Sequence, residues 1–100
     1  MNEFFQNRIN VAHSLIDEGN YDEAIEVLKN LDSRIHDTTV ATNIHTTISD
    51  IDKQYQTNLI AISSKLGDPY ENYIAALKLK KWKSQQYLRF YDNLLMKHEL

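Results

Sequence analysis

One hundred residues, 42% apolar and 25% charged with a net charge of −3, describe one globular domain, residues 1–100, with a modest core. The lack of cysteine excludes disulfides, thiolate metal sites and thiol catalysis, and no apolar run approaches the roughly 18–20 residues that span a bilayer. Met1-Asn2-Glu3-Phe4-Phe5 has neither the basic nor the apolar region of a secretory signal, so the expected location is cytoplasmic.

The two glycines and the one proline fall at Gly19 and at Gly67-Asp68-Pro69, and elsewhere apolar residues recur at helical spacing. This predicts an all-α antiparallel bundle of about four helices, near residues 3–18, 21–36, 39–66 and 69–97. In the first, Phe5, Ile9, Ala12 and Ile16 share a face widened by Phe4 and Leu15. Gly19 suits the left-handed position that ends a helix without Cβ strain. Asn20 and Glu23 then have the spacing of a capping box. The second helix carries Tyr21, Ala24, Ile25, Leu28, Leu31 and Ile35 in one stripe, and so short a connection makes the pair an antiparallel hairpin.

Between Asp37 and Val40 the signal weakens. Asp37 or Thr38 can cap a new helix, so a turn is expected, with a kinked continuous helix as the alternative. Ala41, Ile44, Ile48, Ile51, Tyr55, Leu59, Ile62 and Leu66 then form a narrow seam at steps of three and four. Gly67 is expected to end that helix. Asp68 as N-cap, Pro69 at the first position and Glu71 at the third make the clearest helix start in the chain. The fourth helix is expected to face the core with Tyr70, Tyr73, Ile74, Leu77, Leu88, Tyr91 and Leu95, interrupted at Lys81 and Ser84.

Charge is divided unevenly. Residues 1–52 hold ten acids against Arg8, Lys29 and Arg34, a balance of −7, and residues 53–100 hold eight bases against four acids, a balance of +4. Such asymmetry either registers antiparallel helices or marks a partner face.

No catalytic constellation emerges. His13, His36, His45 and His98 lack the spacing that lets two imidazoles on one helix share a metal. Glu23 with Glu26, and Asp50 with Asp52, have no apolar pocket that would separate their pKa values for acid–base work. There is no glycine-rich phosphate loop and no nucleophile elbow. The expectation is no enzyme, no catalytic residues, no cofactor and no metal.

The fourth helix offers surfaces instead. At 100° per residue, Ala75, Leu79, Trp82 and Phe90 point away from the Tyr73–Leu77–Leu88–Tyr91 side, with Leu94 at the edge. A helix apolar on two sides is either central to a bundle or covered by something else. Trp82 therefore either packs within the monomer or anchors a docking surface rimmed by lysines. Lys78, Lys80, Lys81 and Lys83 crowd around it, an arrangement that can also grip phosphates.

The run Gly19-Asn20-Tyr21-Asp22-Glu23-Ala24-Ile25-Glu26-Val27-Leu28 resembles the turn and second helix of a tetratricopeptide repeat, a likeness covering about residues 5–35. In that family the small residue matching Ala24 permits close helix contact. Arg8, Ala12 and Leu15 depart from its first-helix pattern, and no second repeat follows. The order Gly19-Asn20-Tyr21, Leu31-Asp32-Ser33-Arg34, Ile51-Asp52 and Lys83-Ser84-Gln85-Gln86-Tyr87 is similar to FliT-type flagellar export chaperones, apart from the break at Gly67-Asp68-Pro69. These likenesses imply an adaptor or chaperone.

The expected function is thus a non-enzymatic helical adaptor or chaperone that binds a helical or extended segment of another protein. Its expected contacts are Leu79, Trp82, Phe90 and Leu94, with Lys78, Lys81 and Lys83 supplying complementary charge. The alternatives are a small nucleic-acid-linked regulator using the lysines of 78–83, and a structural homo-oligomer such as a dimer.

Overall fold

The computed structural model describes residues 2–64 and 67–100. Of the described residues 86% are helical and none lies in a strand. Four α-helices follow in order: α1 (Asn2–Asp17), α2 (Tyr21–Lys29), α3 (Thr38–Ser63) and α4 (Pro69–Met96). A 3₁₀ turn, Asn30–Arg34, extends α2. The expected all-α bundle is therefore the observed one.

The helix boundaries have local causes. Gly19 takes a left-handed φ of 84°, and its N–H reaches Ile16 O at 3.0 Å while Asn20 N–H reaches Leu15 O at 2.8 Å. These two bonds form a Schellman stop that satisfies carbonyls at the end of α1. The capping box expected at Asn20 does not form: Asn20 makes no side-chain cap and instead donates to Glu18 Oε2. Its backbone carbonyl accepts the first α2 bond from Ala24 N–H. At the next start a turn separates the helices, and Asp37 accepts from Thr39 and Val40 N–H at 2.9 and 3.1 Å. Asp68 accepts from Tyr70 N–H at 2.9 Å, with Pro69 in the first turn.

Two boundaries differ from expectation. Residues 30–34 tighten to 3₁₀ geometry, which turns the chain toward Asp37. The last turn of α3 is Ser63, not Gly67. There Ser63 and Ser64 hydroxyls donate back to Leu59 O and Ala61 O, the local bonding by which serine competes with helix continuation. The seam's expected last member, Leu66, lies outside the described residues.

α4 is the centre of the bundle. It packs against α1, α2 and α3, while α1 and α2 pack on each other. The apolar face of the hairpin (Phe5, Ile9, Ala12, Ile16, Ala24, Leu28) closes on Tyr87, Tyr91, Leu94 and Leu95. Both Ala12 and Ala24 are fully buried, which lets the hairpin helices lie close. α3 covers a second side of α4 with Ile44, Ile51 and Tyr55. At its start Ala41 is exposed, contrary to its expected place in the seam.

The expected core face of α4 needs correction. Tyr91 and Leu95 are buried as expected, but Tyr70 and Tyr73 are 68% and 60% exposed. Ser84, expected to interrupt the face, is fully buried. The physical reason is length. α4 has 28 residues and α1 has 16, so the hairpin stops part-way along α4. Its tip is level with Lys80, whose Nζ meets Asp22 Oδ2 at 2.8 Å in the first turn of α2. Beyond that point α4 has α3 on one side and, among the described residues, no second neighbour, and the molecule is drawn out to 49 × 27 × 19 Å.

Candidate interaction surface

The apolar sector of α4 that receives the hairpin continues in phase past the hairpin tip. Tyr70, Tyr73, Ile74 and Leu77 occupy the same side of the helix as Leu88 and Tyr91, by the 100° step of the α-helix. Near the hairpin that sector is core. From Pro69 to Leu79 it is a ledge, about three turns or roughly 16 Å long. Tyr70 and Tyr73 stand exposed on it, and Ile74 and Leu77 are half-buried at its floor.

The residues expected to bind a partner are distributed differently. Leu94 is 2% exposed and belongs to the core, which corrects its place on the outward face. Trp82 and Phe90 are half-buried and pack against the core cluster, and Phe90 sets its ring edge-on to Tyr91 at 5.6 Å. Leu79 is half-buried on the other side of α4, in phase with Lys83, which reaches α3. The two-sided character of α4 is thus largely answered within the chain, because α3 and the hairpin take different sides.

The lysines do not form one free patch. Lys80 is paired with Asp22, and that carboxylate raises the Lys80 pKa through its hydrogen bond and charge. Lys83 lies 3.7 Å from Asp52 and over the Tyr55 ring at 4.5 Å, so it bridges α4 to α3. Lys78 and Lys81 are exposed and make no ion pair among the described residues. Lys78 lies on one flank of the ledge, and Lys81 stands in the ledge's own sector at its hairpin end.

Sequence reasoning missed a polar layer further along α4, where the hairpin covers it. Tyr87 and Tyr91 are fully buried and one turn apart. The Tyr87 hydroxyl donates to Asp52 Oδ1 of α3 at 2.7 Å, and the Tyr91 hydroxyl donates to Asp32 Oδ1 of the 3₁₀ turn. Burial, then these carboxylates, push both phenols far above their ordinary pKa. Neither is poised to exchange a proton near neutrality. The tyrosines were visible as apolar positions, but spacing gives no sign of which distant carboxylate a phenol reaches.

Concavities elsewhere are shallow or small. One of about 700 Å³ is lined by α3 residues alone, from His45 to Ile60, and is an open channel along a single helix. A second, of about 440 Å³, runs between α1 and α4 with Gln6, Asn10, Gln85 and Arg89 on its walls. Among the described residues no group of three metal-ligating side chains converges, and no helix is long and apolar enough to cross a membrane. No family model matches the chain, and no curated protein or solved structure matches it either.

Proposed function

We propose that the protein is a non-enzymatic protein-interaction module, an adaptor or chaperone, whose docking surface is the ledge at the start of α4. The observation that carries this reading is the exposure of Tyr70 and Tyr73 on the apolar sector that, one hairpin length further on, forms the core. An apolar strip with exposed tyrosines, Lys78 on its flank and Lys81 at its end suits an amphipathic helix whose acidic side chains lie toward the hairpin end, clear of Glu71. Leu79 and Trp82 lie on the other side of α4 and stay out of the strip, and Leu94 serves from within. The tetratricopeptide-like hairpin acts in this reading as the support that fixes α4, and the export-chaperone likeness favours a client segment over other occupants.

The test is a photo-cross-linking residue placed at Tyr73 and, as a control, at Glu26 on the far side of the hairpin, in cells that produce the protein. A discrete adduct with another protein is expected from position 73 and not from position 26. Equal, diffuse labelling from both positions would remove the ledge as a specific surface.

A further inference from the structure

The ledge carries a charge pattern that is complementary to itself. Glu71 and Lys78 are both exposed, lie about two turns apart on one flank of α4, and make no ion pair among the described residues. From this we infer that a second copy of the chain covers the ledge, with the two α4 starts packed antiparallel about a two-fold axis near Ile74 and Ala75. This rests on the reading of the ledge as an interaction surface and names its occupant in the free protein.

In an isologous contact residue i meets j and j meets i. With the axis between Ile74 and Ala75, Glu71 of one copy is level with Lys78 of the other, and the same pair recurs on the far side of the axis. In antiparallel helices a flank faces the same flank of its neighbour, so the opposite charges meet twice. A parallel arrangement would set this flank against the opposite one and bring neither charge to its counterpart. The apolar heights match as well: Tyr73 comes level with the gap between Ile74 and Leu77 of the second copy, and Tyr70 with the gap between Leu77 and Lys81, so side chains of one ledge meet the grooves of the other.

The surroundings leave room for this register. α3 lies on the side of α4 away from the ledge, as the Lys83 bridge to Asp52 and Tyr55 shows. The hairpin tip stops at Lys80, which in this register is level with Pro69 of the second copy. Each ledge is therefore covered along its whole length, and each tip stops where the neighbouring helix begins. An acidic helix from a different protein would use Lys78 and Lys81 but leave Glu71 unmatched. The second copy uses both signs.

The experiment is sedimentation equilibrium on the full chain, as wild type, Glu71→Lys, Lys78→Glu, and an equimolar mixture of the two variants. Both sites are exposed, so circular dichroism should show the fold unchanged. Wild type is expected to dimerise in the micromolar range. Each single variant sets two like-charged pairs in place of two opposite ones and should dissociate about tenfold more readily. The mixture restores both attractive pairs and should recover the dimer as a heterodimer. A wild-type mass of one chain up to about 1 mM would overturn the proposal, and so would a dimer indifferent to both substitutions or a mixture that fails to recover. A monomeric wild type that still gives the discrete cross-link from position 73 would sink self-association alone. A charge-swappable dimer with no adduct to another protein would sink the adaptor reading alone.

Discussion

Tyr91 and Asp32, 59 positions apart in sequence, are joined by a 2.5 Å hydrogen bond from the phenol to the inner carboxylate oxygen. The bond ties the second half of α4 to the 3₁₀ turn. Desolvation raises the Asp32 pKa above its usual 3.8, against the opposing effects of the Tyr91 bond and of Lys29. A carboxyl raised on folding binds its proton more tightly in the native state. Its contribution to stability is therefore full below about pH 4 and is lost as pH rises through the raised native value.

Asp32→Asn keeps an acceptor for Tyr91 and removes that titration. Relative to wild type it should gain stability as pH rises from about 4, then level off, in denaturant melts across pH 3–7. Asp32→Ala leaves a buried hydroxyl unpaired and should cost about 1–3 kcal/mol. The same linkage has an alkaline arm. Tyr87 and Tyr91 ionise more easily once unfolded, so stability should fall as pH rises above about 10. A wild type whose stability climbs from pH 4 to 6 relative to Asp32→Asn would contradict the assignment.

Leu94 and Tyr73 separate core from ledge on one helix. Leu94→Ala opens a cavity between α4 and its neighbours and should cost about 2–5 kcal/mol. Tyr73→Ala removes a mostly exposed ring and should change the monomer's stability by no more than about 0.5 kcal/mol. Urea melts at a concentration low enough to keep the chain monomeric give both numbers. Equal losses would mean that the hairpin covers more of α4 than Lys80 and Asp22 indicate.

Ser84 tests the closeness of the hairpin to α4. Its hydroxyl donates to Lys81 O within its own helix, at 2.8 Å, so Ser84→Ala should be nearly neutral, because donor and its local acceptor part without stranding a second group. Ser84→Leu adds three carbons where no space remains and should cost about 1–3 kcal/mol. A leucine accepted without loss would place the hairpin further from α4 than the buried serine implies.

The helices were legible because each start or stop rests on chemistry confined to a few neighbouring residues. Gly19 announces a left-handed stop, Asp37 and Asp68 announce caps, and Pro69 fits only a first turn. The face of α4 was less legible for a reason that periodicity cannot express. Phase along a helix tells which sector is apolar, but not how far a neighbour extends along it. Tyr70 and Tyr73 share the core's phase and were assigned to it, yet the hairpin ends before it reaches them. Leu94 lay at the edge of two sectors, and the position of α3 decided its fate. Ser84 looked like an interruption because a small polar residue resembles a surface position until a second helix is known to cross there. The ledge itself was therefore hidden in plain residues, and the charge on its flank was read only as part of a lysine cluster.

The hairpin's end at Lys80 makes the length of the bare strip a difference between two helix lengths rather than a property of any one residue. Adding a turn to both α1 and α2 would advance the tip by about 5 Å and shorten the bare strip, and deleting one would lengthen it by as much. The Tyr87–Tyr91 layer lies well inside the hairpin's reach and would not be disturbed. The exposed strip and the buried core thus occupy separate stretches of α4, and a lineage could adjust one by insertion while leaving the other alone.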